Sequence, residues 1–103
     1  MKMTTVRKYA LSLEAATEEP HFAYSSFRVR GKIFVTVPPG DAVIHVFAPE
    51  DDRERTLAMY PGWAGKLLWG AKVVGLRLTL ATAPASAVKA LVARAYEVRA
   101  RKR

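Results

Sequence analysis

The residues of this chain best suited to chemistry are cations interleaved with aromatic rings, and the chemistry is contact with anions. Phe27-Arg28-Val29-Arg30 alternates apolar and cationic residues, and Lys32 follows at once in a Gly31-Lys32 turn. A Gly70-Ala71-Lys72 turn repeats the arrangement, Lys66 lies between Trp63 and Trp69, and Arg77 interrupts an apolar run. Cationic side chains beside aromatic ones suit phosphate contact and base stacking. Each feature also has a plain structural reading. Arginines extend along solvated sheet faces, lysines favour exposed turns, and tryptophans fill cores and interfaces.

Catalytic and metal chemistry find little support. The chain has no cysteine, so disulfides, thiolate metal sites and cysteine nucleophiles are excluded. His21 and His45 are too few and too far apart for a metal site, and His21 with Glu18 and Glu19 matches no ligand spacing. His45 alternates with Val43 and Phe47, on the face opposite Ile44 and Val46, with no catalytic partner in the sequence. Phosphate-binding glycine loops and nucleophile motifs are absent. The expectation is a protein without enzymatic activity, cofactor or metal.

Charge is unevenly distributed. Residues 1–55 hold eight Lys/Arg and eight Asp/Glu; residues 56–103 hold nine Lys/Arg against Glu97 alone. Such segregation points to an anionic partner, most often nucleic acid. Four of those cations, Arg99, Arg101, Lys102 and Arg103, fall in a stretch expected to fray as a flexible basic tail. The N-terminus lacks an apolar run of signal-peptide length, and Val73–Val88 contains Arg77 and Pro84, so no membrane span is expected. A cytoplasmic location is the expectation.

The elements that must position these residues follow from periodicity. Met3, Val6, Ala10 and Leu13 recur at helical spacing over about residues 4–14. The polar Glu14–Ser26 stretch reads as a connection. Three strands follow: Phe27–Arg30, Ile33–Val37 and, after the Pro38-Pro39-Gly40-Asp41 turn, Ala42–Ala48. Pro49 and the acids behind it mark a helix start, since proline and carboxylates suit helix N-termini, and Pro61-Gly62 ends that helix. A second hairpin pairs Ala64–Trp69 with Val73–Ala81, and Pro84 opens a long helix with Val88, Leu91, Val92 and Ala95 on its apolar stripe. The fold class is α+β in the order α-βββ-α-ββ-α, one domain over 1–103: an antiparallel sheet of about five strands with helices on one face. If Phe27, Val29, Leu76 and Leu78 point inward, Arg28, Arg30 and Arg77 point away, with His45 and with Phe34, Thr36 and Phe47 as neighbours.

Ala10-Leu-Ser-Leu, Glu19-Pro20, Phe27-Arg-Val-Arg-Gly-Lys-Ile-Phe-Val, Ala48-Pro-Glu, Pro61-Gly62 and the closing Gly75-Leu-Arg-Leu … Leu91-Val-Ala-Arg-Ala-Tyr-Glu occur in an order and spacing that resemble the MmcQ/YjbR-like family, over about residues 5–98. The resemblance implies a compact α+β fold described as CyaY-like or double-wing, commonly labelled DNA-binding. It makes the hairpins at Arg30-Gly31-Lys32 and Gly70-Ala71-Lys72 candidate wings. One branch carries Asn-Lys-x-His-Trp in the second hairpin; Lys66-Leu-Leu-Trp-Gly-Ala-Lys-Val-Val stands here instead.

The functional expectation is a module that binds nucleic acid, duplex DNA first, with little sequence selectivity. Arg28, Arg30, Lys32, Lys66, Lys72 and Arg77 would contact phosphate. The alternative is a protein-interaction or adaptor domain using the sheet face, or an aromatic patch of Trp63, Trp69 and Phe34, with an exposed edge available for homodimerisation. An acidic small molecule held by Arg28 and Arg77 would need a concave pocket. Iron handling, implied by the CyaY-like likeness, calls for a carboxylate-rich surface, which this chain lacks.

Overall fold

Helix α1 (Met3–Ser12) leads into an antiparallel run of strands β1 (Thr17–His21), β2 (Tyr24–Val29), β3 (Lys32–Val37) and β4 (Val43–Val46). Helix α2 (Glu50–Met59), the hairpin β5 (Ala64–Trp69) and β6 (Lys72–Thr79), and helix α3 (Ala85–Ala100) complete the chain. This computed structural model describes residues 1–101. The strands form one six-stranded sheet in the order β1-β2-β3-β4-β6-β5, every pairing antiparallel. The α+β architecture is the expected one, with one strand more. Thr17–His21, read as a connection because Glu18, Glu19 and Pro20 break any apolar alternation, is an edge strand paired throughout its length with β2. An edge tolerates proline, whose missing N–H would otherwise leave a gap in the ladder.

Period-two alternation divides the sheet into two faces. Phe27, Val35, Val46 and Leu76 are in register across β2, β3, β4 and β6, and all are buried. Val37, Ile44 and Leu78 continue that face, on which α3 lies through Val88, Leu91, Val92 and Ala95. Burying each such side chain contributes about 1.5–3 kcal/mol, which makes this interface the main source of stability. A bulge in β3 opposite Phe27/Arg28 departs from strict alternation. It turns Phe34 inward along with Val35, and Phe34 meets Tyr96 of α3 edge-on at 5.6 Å. Phe34 therefore does not share the open face with Arg28, as alternation alone predicts.

Helix α2 is polar and is held by specific contacts more than by an apolar stripe. Glu50, Asp51 and Asp52 occupy its first turn, where carboxylates favour the positive dipole end. Asp52 does more than that. Its side chain is buried and accepts a hydrogen bond from Arg94 Nε of α3 at 3.1 Å, with Arg55 at 3.5 Å. Helix α1 is fastened similarly: Glu18 on β1 takes Arg7 Nε at 2.9 Å and the Ser25 hydroxyl at 2.7 Å. Burial opposes the Glu18 charge, but those two donors outweigh it and hold the carboxyl below its usual range.

The first hairpin turn is shifted by one residue from the expected position, and the second is one residue shorter than expected. Arg30 and Gly31 form the first, each with positive φ (54° and 75°), the pattern of a type I′ turn, and Lys32 begins β3. Gly70 and Ala71 form the second, with Gly70 at φ 62°, and Lys72 begins β6. The antiparallel order places both tips at one end of the sheet. They stand roughly 14 Å apart, three strand spacings. The β1–β2 turn, Phe22-Ala23, is at the other end, and Phe22 adopts φ 57°.

Candidate nucleic-acid interface

Cross-strand register decides which candidate residues share a surface. Ser26, Thr36, His45 and Arg77 form a row across β2, β3, β4 and β6 on the face away from the helices. Arg28, two residues beyond Ser26, shares that face. Its Nε donates to Ser26 Oγ at 3.0 Å and one terminal nitrogen to the Pro20 carbonyl at 3.3 Å, so it also ties β1 to β2. Arg77 is exposed and has no carboxylate within ion-pair distance among the described residues. Arg30 is exposed at its turn, and Lys32 beside it pairs with Val29, on the helix side of the sheet.

Lys66 and Lys72 lie elsewhere. Lys66 is in register with buried Leu76, and together with Lys72 it lines a groove against α2 that also holds Glu50 and Glu54. The second wing's lysines thus face acids of α2, and the six candidates do not converge on one surface. Arg28, Arg30 and Arg77 belong to the open face and its rim; Lys66 and Lys72 belong to the helix side.

Carboxylates are scarce on the open sheet face, while the helices carry both signs, five acids and seven cations. Glu50, Asp51, Asp52, Glu54 and Glu97 lie on helices, Glu18 is tied to α1, and Glu14 follows α1. On the open face the register leaves Glu19 as the one strand carboxylate, on the same side as Arg28, Arg77 and His45. His45 is half-buried there, with Thr36 Oγ1 3.3 Å from its Nδ1 and the Tyr24 ring 6.0 Å away. Burial first, and the nearby Arg77 charge second, lower its pKa, so the neutral imidazole is favoured.

The open face is concave. A cleft of about 480 Å³ runs between the β1–β2 and β5–β6 hairpins, its floor formed by Thr36, His45, Phe47 and Leu67 and its walls by Tyr24 and Trp69. A glycine permits the curl of the second wall. A Cβ on Gly75 would lie 2.7 Å from the Val46 carbonyl oxygen and 3.2 Å from Leu67 Cδ2. Only glycine lets β6 pass so close to the end of β4 with Leu67 folded over it. Beside the floor stands Arg99 of α3, whose Nε donates to the Ile33 carbonyl at 3.1 Å and whose guanidinium carbon is 5.9 Å from the Phe47 ring centre.

The family model described as YjbR matches residues 11–98. The chain belongs to the YjbR family. No curated protein and no solved structure matches it. The resemblance drawn from the Phe27–Val35 and Gly75–Leu78 stretches therefore holds for this YjbR-family chain.

Sequence reasoning missed Arg99 and Tyr24. Arg99, assigned to a frayed tail, is the last-turn residue of an ordered helix; its spacing from Val88, Val92 and Ala95 is helical and was the available signal. Lys102 and Arg103 of that expected tail lie outside the described residues. Tyr24 lay hidden in the presumed connection. The expected patch of Trp63, Trp69 and Phe34 is not formed: Phe34 is in the core, Trp63 stacks on Tyr60 at 5.0 Å, and Trp69 alone stands free. Among the described residues no three His, Asp or Glu side chains group as metal ligands, and no helix is long and apolar enough to cross a membrane.

Proposed function

We propose that this YjbR-family chain binds nucleic acid, duplex DNA in the first instance, by laying phosphates against the open sheet face and the rim that carries Arg30. One observation carries the reading: the open face presents Arg28 and Arg77 against Glu19 as its one strand carboxylate, whereas the acids of the helix layer are accompanied by cations there. A polyanion approaching that face meets cations whose charge is largely uncompensated, and releases counterions as it binds. The two hairpin tips, roughly 14 Å apart at one end of the sheet, are spaced to contact backbone on either side of a groove. The cations named here meet phosphate and not base edges, so binding is weakly selective. Nothing in this role requires catalysis, a cofactor or a membrane, and it fits a cytoplasmic protein.

Fluorescence anisotropy with a labelled duplex tests it. Affinity falls on a log–log plot against salt with a slope of about −0.9 for each phosphate neutralised. Arg77→Glu and Arg30→Glu weaken binding and flatten that slope, whereas Lys8→Glu, the same charge change on α1, does neither. Absence of binding at about 50 mM salt, or equal effects from all three variants, sinks the proposal.

A second reading, a protein-interaction domain, draws on the exposed Phe22, Tyr24, Leu68 and Trp69 around the cleft. It predicts association insensitive to salt and to Arg77→Glu.

A further inference from the structure

Phe22, Tyr24, Leu68 and Trp69 are exposed, and all lie on the two hairpins that face each other across the cleft. Trp69 is 81% exposed and Phe22 96%, far more than hairpin packing requires. Phe22 is also held at φ 57°, a left-handed conformation that bulky residues rarely adopt, with its ring edge-on to His21 of the cleft at 4.9 Å. Among the described residues the lining contains no carboxylate, and its cation, Arg99, is fixed by the Ile33 carbonyl.

We propose that the cleft takes an unpaired nucleotide of a nucleic-acid strand, its base stacked on Trp69 or Tyr24 and its phosphate facing Arg99. The inference rests on the nucleic-acid reading above and adds a requirement which that reading lacks: a base out of its helix. Three properties of the site point to this occupant. Its walls are flat aromatic surfaces, which stack any base. Its charge is complementary to phosphate, and a purely apolar peptide would supply no counter-charge to Arg99. Its volume of about 480 Å³ falls within the roughly 300–1,000 Å³ of sites that enclose small ligands. Thr36 and His45 on the floor offer a hydroxyl and an imidazole to a base edge. A paired base cannot stack on the walls, because its faces are already stacked inside the duplex. Trp69 ends β5 directly before the Gly70-Ala71 tip of the second wing, so a strand leaving a duplex held at that tip passes directly to the cleft.

The full chain is titrated with three DNAs: a blunt duplex, the same duplex with a three-nucleotide overhang, and that overhang built from abasic sites. The natural overhang binds roughly five- to hundredfold more tightly than the other two and quenches tryptophan emission, because Trp69 is solvent-facing while Trp63 is stacked on Tyr60. Trp69→Ala and Tyr24→Ser each reduce that gain while leaving blunt-duplex affinity within about twofold; Trp69 is exposed, so its truncation does not remove core packing. Equal affinity for blunt and overhanging duplexes overturns the inference, as does an abasic overhang that binds as well as the natural one. A gain that survives both variants also overturns it. Each of these results leaves duplex binding standing, whereas failure of every DNA to bind removes both proposals.

Discussion

Gly75 should be the least replaceable glycine of the second hairpin, and Gly65, one strand away, among the most replaceable. Both lie in β-structure on the open side, and neither has positive φ, so alanine is conformationally allowed at each. They differ in space. Around Gly65 nothing lies within 4 Å of an added Cβ, whereas at Gly75 the Val46 carbonyl oxygen is 2.7 Å away. Restoring ordinary contact at 3.4 Å means moving backbone by 0.7 Å at Leu76↔Val46, the last rung of the β4–β6 ladder. Overpacking of this kind costs about 1–3 kcal/mol. Gly65→Ala, by contrast, restricts the unfolded chain and contributes about 0.4–1 kcal/mol of stability. The variants should therefore differ by at least about 1.5 kcal/mol, or about 6 °C in melting temperature for a domain of this size. Urea unfolding with an unchanged slope would place the effect in stability and not in denatured-state compactness. Equal midpoints for the two variants would refute the claim that close strand approach fixes the curl of this wing.

Asp52→Ala should destabilise by about 1–3 kcal/mol, because it removes the buried acceptor that joins α2 to Arg94 of α3; thermal melts measure it. The loss should be smaller in an Arg94→Ala background, where the partner is already gone. His45 predicts a pH effect of defined sign. Its folded pKa is lowered, so the unfolded chain takes up a proton first. Stability is full above the ordinary histidine value of about 6.5 and declines as pH falls below it, until His45 protonates in the folded protein as well. His45→Gln should flatten the melting temperature between pH 7.5 and 5.5, and an unchanged profile would remove His45 as the source.

Much of the fold is legible because alternation and helical spacing report burial directly. Phe27, Val29, Leu76 and Leu78 are inward, His45 and Arg77 share the other face, and α3 runs from Ala85 with the expected stripe. What was not legible depends on contacts distant in sequence. β1 has no apolar signature, since as an edge strand it is held by register with β2 and by Arg7, Ser25 and Arg28. Phe34 faces inward because a bulge resets the alternation, which no local pattern announces. The division of the six cations between the two sides of the sheet has a related cause. Lys66 and Arg77 look alike along the chain, but the β5–β6 register puts Lys66 beside Leu76 and turns it toward α2.

The two borders of the sheet are unequally defended against strand addition. β1 offers an incoming strand Glu18, Glu19 and Pro20; the proline has no N–H to give, and Arg28 already occupies its carbonyl. Such borders resist edge-to-edge aggregation. β5 reads Ala-Gly-Lys-Leu-Leu-Trp, with one charge and no proline. Any self-association by strand pairing is thereby directed to β5. An antiparallel β5–β5 junction would extend the sheet across a two-fold axis and set both clefts on the same side of a single continuous surface.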